Sequence, residues 1–365
     1  MKILLDRQIF LAKLEIIARN SNAAKTVSGI HKHVLIKFKE KKLSMSSWNE
    51  QTALLVGMTD GILETEGSGA MLIPIDKLMG VVANSSTKKI KIESTQDTKF
   101  VIKGNGISSV NGMPLTEFPK IEVTGEEVAE MKFGKFVGRV KLVASAAAGD
   151  TSSKAELKGI LWDGSFVALD GSVAAFVIGK KLDKQYILPK TTAVLLSDLY
   201  NQIGDCDVKI SSNKDHTLIF RMKDIILVTT LINAKYPLYQ TVLDKTEKSE
   251  HKIEFSRDEM KNILRRCQVF DSGLGSGASA VILNIADGKL RIQVGDNENH
   301  AEFVKTAKVD LKLEDKIFLK IEPFLDLVNA AVEDLIEFEY SNATSPVFVK
   351  QKSWIYFVMP LNRKV

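Results

Sequence analysis

A strand that runs directly into an amphipathic helix recurs three times along this chain. The clearest copy is residues 252–270, where Ile253 and Phe255 alternate with polar residues as in a strand with one buried face. A helix follows, and its apolar stripe at i, i+3, i+4 and i+7 consists of Met260, Ile263, Leu264 and Cys267. We expect a capping box at its start, in which the Ser256 hydroxyl accepts a hydrogen bond from the Glu259 amide and the Glu259 carboxylate accepts one from the Ser256 amide.

The other two copies lie near residues 2–17, where Asp6 is the predicted cap, and near residues 131–150. When Phe10, Phe136 and Met260 are taken as equivalent, the unit returns about every 125 residues. A second landmark is a proline that follows an apolar or aromatic residue near the end of each such interval. It occurs at Pro119, Pro237 and Pro360, with a similar spacing. These two landmarks predict an α+β fold of three tandem repeats, each with two helices packed on β-sheets. The predicted boundaries are 1–123, 124–248 and 249–365.

The composition is compatible with this division. At 365 residues the chain has room for three domains of about 120 residues each. A formal charge of +5 is too small for a bulk polycation, so the position of the basic residues matters more than their number. No apolar run approaches the roughly 18 residues of a membrane span, and the chain starts with a predicted strand, so we expect a cytoplasmic protein without membrane contact. Cys206 and Cys267 are expected to be reduced, buried thiols.

Four stretches spread over the whole chain carry a resemblance to a known family. They are Met1-Lys2-Ile3 before a helix, Leu169-Asp170-Gly171, Tyr236-Pro237-Leu238-Tyr239-Gln240-Thr241-Val242-Leu243, and Tyr356-Phe357-Val358-Met359-Pro360-Leu361. In this order and at this spacing they resemble the bacterial DNA sliding clamp, the beta subunit of DNA polymerase III. The resemblance implies a head-to-tail homodimer that closes as a ring of six modules. Helices would line the hole and double-stranded DNA would pass through it.

Basic residues on the helix faces away from the predicted core agree with that arrangement. Contacts with phosphates there would be independent of sequence and sensitive to salt. The candidates are Lys13, Lys25, Lys135, Arg139, Lys141, Arg257, Lys261 and Arg265. For each residue taken alone, a solvated surface charge is the competing interpretation. The recurrence of basic residues across the repeats favours DNA binding for the set as a whole.

The resemblance also implies a cleft between repeats two and three that accepts short peptides. Its partners would be the polymerase catalytic subunit, an ATP-dependent clamp loader and other proteins with a clamp-binding motif. The matching residues are Leu157, Leu169, Gly171, Val173, Ala174, Pro237, Thr241, Val242, Phe357, Val358, Met359, Pro360 and Leu361. Ordinary core packing is the alternative for several of them. The family usually has His-Arg-Leu where this chain has Ser172-Val173-Ala174, so the peptide preference is expected to differ.

The expected dimer interface follows from the same resemblance. Val269 and Phe270 lie just after the first helix of the third repeat. They would face the edge of repeat one in another copy, at Ile107 and Ser108. Because the family often has an aromatic residue at that edge, a weaker dimer is expected here. Helix-end core contacts are the alternative for Val269 and Phe270.

Enzymatic classes are disfavoured, and no catalytic residue, metal or cofactor is expected. The glycine-rich stretch 273–277 follows a helix and precedes a strand, the reverse of a phosphate-binding loop, and no Gly-Lys-Ser/Thr occurs. His31 and His33 have no third ligand nearby and are expected to be surface histidines. A monomeric module with the same fold, binding double-stranded DNA or peptides without closing a ring, remains the alternative function.

Overall fold

A computed structural model describes residues 2–22, 29–214, 216–244, 249–270, 280–286, 289–295, 300–306 and 315–361. The described chain packs into two compact units, one made of residues 1–137 and 191–231 and the other of residues 138–190 and 232–365. These units divide the middle of the chain between them, so the boundaries of the three repeats stay a prediction. None of the helices described is long and apolar enough to cross a membrane.

The first third of the chain alternates short strands with two helices. Its elements are β1 (Lys2–Asp6), α1 (Arg7–Asn22), β2 (His33–Lys39), β3 (Lys42–Trp48), β4 (Thr52–Met58), β5 (Ile62–Glu66), β6 (Gly69–Pro74), α2 (Ile75–Ala83), β7 (Lys89–Gln96), β8 (Lys99–Lys103) and β9 (Ile107–Asn111). Alternating apolar residues predict all of these strands except β5, and the predicted strands are present. Strand β5 is not predicted, because Leu63, Glu64 and Glu66 are exposed and leave no buried alternation to detect.

The same order of elements continues along the chain. The middle third contains β10 (Glu126–Lys132), α3 (Phe133–Ala144), β11 (Gly159–Trp162), β12 (Phe166–Leu169), β13 (Val173–Val177), β14 (Tyr186–Pro189), α4 (Lys190–Ile203), β15 (Asp207–Ser212), β16 (Thr217–Met222), β17 (Ile225–Thr230) and the short α5 (Gln240–Leu243). The last third contains β18 (His251–Ser256), α6 (Arg257–Val269), β19 (Ala280–Ala286), β20 (Lys289–Gly295), β21 (His300–Thr306), β22 (Asp315–Lys320), α7 (Ile321–Ala330), β23 (Leu335–Tyr340), β24 (Val347–Gln351) and β25 (Trp354–Val358).

The described strands form four antiparallel sheets. In the first unit, one sheet has the order β10-β15-β16-β17-β4-β3-β2-β6 and the other the order β5-β1-β7-β8-β9. In the second unit, the orders are β14-β11-β12-β13-β25-β24-β23-β18 and β21-β20-β19-β22. Each eight-stranded sheet therefore joins strands from two successive thirds of the chain, through the pairs β17–β4 and β13–β25.

The helices bury the apolar stripes that the sequence predicts. Met260, Ile263, Leu264 and Cys267 of α6 are all buried, as are Phe10, Leu14 and Ile17 of α1. The start of α1 is capped as expected, since Asp6 Oδ1 accepts hydrogen bonds from the Gln8 and Ile9 amides at 3.0 and 3.1 Å. The prediction of a capping box at α6 was wrong in one respect. Ser256 is the N-cap residue as expected, but its side chain makes no capping hydrogen bond.

Two expectations about single residues need correction. His31 and His33 are buried, not surface residues: the His31 ring packs 5.0 Å from the Trp48 ring, and His33 Nδ1 donates to the Gly29 carbonyl at 2.6 Å. Burial lowers the pKa of His33. Both cysteines are free, but only Cys267 is fully buried, and burial raises the pKa of its thiol to about 11.

The remaining predictions about loops have mixed outcomes. The turn sequence Trp162-Asp163-Gly164-Ser165 predicts a tight hairpin, which is present with Trp162 opposite Phe166. Ala286-Asp287-Gly288-Lys289 predicts a second hairpin turn, and β19 and β20 pair with Ala286 opposite Lys289, although the two central turn residues lie outside the described part of the chain. The glycine-rich stretch 273–277 also lies outside it.

Candidate DNA-facing helices, partner cleft and chain interface

The predicted cleft begins at the tight turn between β12 and β13. The Asp170 carboxylate accepts hydrogen bonds from the Ser172 amide at 2.7 Å, the Ser172 hydroxyl at 3.0 Å and the Val173 amide at 2.7 Å. Gly171 has a φ of 98°, which a residue with a side chain rarely adopts. The conformation of this turn therefore depends on its own residues, and Asp170 holds Ser172 in place.

Strand pairing brings the C-terminal segment to this turn. Val173 lies opposite Val358 and Ala174 lies opposite Phe357 in the β13–β25 ladder. The ladder continues past the strand end, since the Met359 amide donates to the Ser172 carbonyl at 2.8 Å. Residues that are separated by just over half the length of the chain are thus direct neighbours.

An apolar cluster lies beside this ladder. Leu157, Leu169, Ala174 and Phe357 belong to one buried cluster, and Val242 packs against it. Four further predicted residues, Gly171, Pro237, Thr241 and Met359, are exposed, and Pro360 and Leu361 are half-buried. The structure therefore brings buried and accessible members of the predicted set to one region of the second unit.

Three aromatic residues that the sequence prediction missed support this region. The Phe176 ring lies 5.6 Å from the Phe357 ring and 5.9 Å from the Tyr239 ring. The Tyr239 hydroxyl donates to Asp163 Oδ2 at 3.0 Å, and the Tyr236 hydroxyl donates to the Val167 carbonyl at 3.3 Å. Burial raises the pKa of both tyrosines, so they remain neutral donors at neutral pH.

The loop between those tyrosines has an accessible tip. Tyr236 and Tyr239 are buried, whereas Leu238 between them is 78% exposed. The two anchored tyrosines hold this loop against the cluster, which fixes Pro237 and the start of α5. The repeated tyrosine in Tyr236-Pro237-Leu238-Tyr239 was the sequence signal for this arrangement.

The predicted DNA contacts fall into two groups. Two of them are already engaged: Lys13 forms an ion pair with Asp224, and Arg257 forms one with Asp334 at 3.1 Å. Arg257 also contacts the Asp258 carboxylate at 3.1 Å and donates to the Val332 carbonyl at 3.1 Å. These contacts make Arg257 a connection between α6 and the loop after α7.

The other group is more available. Lys135 and Arg265 are exposed and Arg139 and Lys261 are half-buried, and none of the four forms an ion pair within the described residues. Lys135 and Arg139 are spaced by one helical turn on α3, as are Lys261 and Arg265 on α6. Lys141 is exposed at the end of α3, and Lys25 lies outside the described residues.

The predicted interface residues are exposed at a sheet edge and a helix end. Ile107 is 74% exposed on β9, which has one strand neighbour among the described residues, and Ser108 follows it. Val269 is 81% exposed and Phe270 is 37% exposed at the end of α6. In the second unit, β21 likewise has one neighbour among the strands that the structure describes. The helix-end core interpretation of Val269 therefore does not hold, because its side chain is mostly in solvent.

No group of three or more His, Cys, Asp or Glu side chains suited to a metal ion occurs in the described parts of the chain.

Comparison with known proteins connects these features to one class. No protein-family model matches the chain. Over the full length of both chains, it is 23% identical to the beta sliding clamp of Buchnera aphidicola. It is 22% identical to the beta sliding clamp of Rickettsia bellii, over 88% of this chain and 89% of the relative.

Solved structures agree over the whole chain. The DNA polymerase III beta subunit of Pseudomonas aeruginosa is 19% identical, with a TM-score of 0.86 over 100% of both chains. The sliding clamp of Bartonella birtlesii, solved bound to griselimycin, is 20% identical, with a TM-score of 0.87 over 100% of both chains. The fold is thus that of the DNA polymerase III beta subunits.

These full-length matches confirm the resemblance found in the sequence. Over 88–100% of its length the chain is similar to bacterial beta sliding clamps, at 22–23% identity.

Proposed function

We propose that this protein is a DNA sliding clamp, a non-catalytic processivity factor that tethers a replicative polymerase in the cytoplasm. Three tandem repeats per chain and two chains per ring would enclose duplex DNA. Tethering raises the local concentration of the polymerase at its template, so rebinding is faster than loss. An ATP-dependent loader is needed because a closed ring cannot admit closed DNA.

The observation that carries this proposal is the way the sheets end. Within the chain, β17–β4 and β13–β25 join successive thirds into eight-stranded sheets. Strands β9 and β21 each end a smaller sheet without a further neighbour in the described residues. An unpaired edge is a template for another strand. Pairing of β9 in one copy with β21 in the other would repeat the internal joint twice and close two chains head to tail.

Exposed apolar residues support the same joint. Ile107 on β9, together with Val269 and Phe270 at the end of α6, leaves apolar surface in solvent in the single chain. Burial of such surface between copies would be favourable. Ser108, in place of a large aromatic residue, would leave this interface smaller than in the family.

The cationic side chains would supply the DNA contacts. We propose that Lys135, Arg139, Lys261 and Arg265 make the main phosphate contacts, with Lys25 and Lys141 as further members. Lys13 and Arg257 would contribute less, because their charges are compensated by Asp224 and Asp334. A small number of weak phosphate contacts suits a ring that must slide.

The partner cleft would lie where Ala174, Phe357 and Val242 form the apolar cluster, next to exposed Met359. Clamps from Pseudomonas aeruginosa and Bartonella birtlesii were solved bound to griselimycin, which makes this compound a defined probe. We propose that it occupies the same cleft here. The cleft would also accept peptides from the polymerase, the loader and other clamp-binding proteins.

The test of the function has two stages. Light scattering on a sizing column across a dilution series should give twice the 40.4 kDa chain mass, with dissociation on dilution. Clamp loaded by a bacterial clamp loader and ATP should then stay on nicked circular DNA through gel filtration at moderate salt and leave once the DNA is linearised. A monomer at every concentration, or equal loss from circular and linear DNA, would favour the non-ring module.

A further inference from the structure

A group of exposed positive charges outside the helices lies on the β2–β3 hairpin. Between positions 37 and 42 the chain has four lysines and one glutamate, a net charge of +3 (4 − 1), against +5 for all 365 residues. We name Lys37, Lys39, Lys41 and Lys42 the lysine hairpin. All four lysines are exposed, and none forms an ion pair with a described residue.

Two other hairpins that follow a strand and a helix carry fewer lysines. The β11–β12 hairpin after α3 has no basic residue on either strand, and its turn contains Asp163, which is buried and bonded to Tyr239. The β19–β20 hairpin after α6 has Lys289 and Arg291, and Arg291 forms an ion pair with Glu302 at 3.1 Å. The β2–β3 hairpin therefore carries more lysines than these two hairpins do.

The lysines surround a concave surface. A shallow depression of about 370 Å³ is lined by Lys37, Phe38, Lys39, Lys42, Leu43, Ser44, Gly57, Met58 and Thr59. Register places Lys37 opposite Ser44 and Ser44 opposite Gly57, so two small residues leave room beside the lysine. The exposed lining consists mainly of carbon atoms, although the Phe38, Leu43 and Met58 side chains are themselves buried.

The hairpin is also held in one conformation. Lys39 pairs with Lys42 across a two-residue turn, and Glu40 in that turn has a φ of 56°, which glycine or asparagine would adopt at less cost. The Thr65 hydroxyl on β5 donates to the Glu40 carbonyl at 3.1 Å. The lysine side chains therefore project from a fixed backbone, which lowers the entropy lost on binding.

The lysine hairpin does not share a surface with the helix that carries Lys13. Phe38, Leu43 and Met58 are buried on the side of the sheet that packs on α1. Strand alternation puts Lys37, Ser44 and Gly57 on the opposite side. A duplex held by the helices would therefore not reach these lysines from the same side of the sheet.

We propose that the lysine hairpin is a second docking site, which binds an acidic segment of a partner protein with an apolar side chain between its carboxylates. The lysine side chains around the depression complement the acidic residues of the segment. The mainly apolar surface of the depression accepts its apolar side chain. A phosphate backbone would use these lysines but not the depression. This site is separate from the cleft of the second unit.

The experiment uses the full-length protein and a fluorescein-labelled 12-residue peptide in which aspartate alternates with leucine and phenylalanine. Anisotropy should show binding that weakens as salt screens the lysines. The double variant Lys37→Gln/Lys42→Gln should bind the peptide about tenfold more weakly, which corresponds to about 1.4 kcal/mol. Ser44→Trp, which fills the depression without changing charge, should weaken binding as well.

The matched control is Lys180→Gln/Lys181→Gln, because these two lysines are also exposed and have no ion pair with a described residue. It should leave binding unchanged, and all variants should keep the wild-type urea midpoint. Equal affinity of the hairpin variant and the wild type, or no binding of the peptide, would overturn the proposal. So would equal binding of an Asp→Asn peptide, or displacement of the acidic peptide from the hairpin by a 20-base-pair duplex. Ring retention on circular DNA should be unaffected by Lys37→Gln/Lys42→Gln.

Discussion

The internal strand joints of the two eight-stranded sheets differ from the outer edges of the two smaller sheets. The joints inside the chain, β17–β4 and β13–β25, are buried strand pairs with side chains such as Leu227 and Phe176 completely enclosed. The free edges β9 and β21 have one strand neighbour each among the described residues, and Ile107 on β9 is 74% exposed. The same type of β-joint can therefore serve as permanent core or as a surface for association. Mutations should separate these two roles.

The largest effect is expected at an internal joint. Phe176→Ala removes a fully buried ring that contacts Tyr239 and Phe357 on β25. It should lower the free energy of unfolding by about 3–5 kcal/mol, measured by urea denaturation. Val269→Ala, at an 81% exposed position, should change it by less than about 0.5 kcal/mol. Similar losses in both variants would remove the distinction between core joint and free edge.

The second effect concerns association. Ile107→Lys and Val269→Lys each place a charge in the proposed interface and should raise the dimer dissociation constant by about 30-fold or more, equivalent to about 2 kcal/mol. Sedimentation velocity measures this, while the urea midpoint of the monomer should stay constant. Leu63→Lys is the matched control, since Leu63 is 43% exposed on β5, the opposite edge of the same sheet. If Leu63→Lys disrupted the dimer equally, the assignment of the interface to the β9 edge would be wrong.

The third effect tests the surface next to an internal joint. Met359→Ala together with Leu361→Ala should weaken griselimycin binding by about tenfold, because apolar contacts are lost while the ladder from Ser172 to the Met359 amide is kept. Isothermal calorimetry gives the affinity, and light scattering should still show a dimer. Ile178→Ala, at the other end of β13 and 40% exposed, should bind as the wild type does. Unchanged affinity in the double variant would place the ligand elsewhere.

The smallest effects are expected for single cations. Lys261→Gln should reduce the slope of log K against log salt for DNA binding by about 1, the contribution of one phosphate contact. Arg257→Gln should leave that slope nearly unchanged and should lower stability by about 1 kcal/mol, because Asp334 and the Val332 carbonyl lose their partner. A larger loss of slope for Arg257→Gln than for Lys261→Gln would contradict the division into engaged and available cations.

Much of the fold could be predicted from local patterns. The stripe on α6 and the Asp6 cap of α1 depend on residues within one or two turns, so the sequence contains all of the relevant spacing. Strand β5 escaped prediction because its side chains are mostly exposed. The buried positions of His31 and His33 also escaped it, since Trp48 and Gly29 cover them only after the chain has folded.

The candidate site was predictable in part. Ala174 and Phe357 were recognised through the resemblance, and they are neighbours in the ladder. The supporting residue Phe176 was not, because an apolar strand residue has no sequence pattern that separates support from ordinary core. Tyr239 was also missed as a site residue, although the repeated tyrosine at positions 236 and 239 was a signal for it. The ion pair between Lys13 and Asp224 joins residues 211 positions apart, beyond any local spacing rule.

The sequence by itself determined the alternation of strands and helices, the buried stripes and the resemblance to the clamp family, since these depend on periodicity and short-range order. Only the tertiary structure decided which cations keep their charge available and which edges remain open. The physical reason is that ion pairing and strand pairing act through space. Partners far apart along the chain determine whether Arg257 or Lys261 forms an ion pair, and whether β25 or β9 gains a second strand neighbour among the described residues.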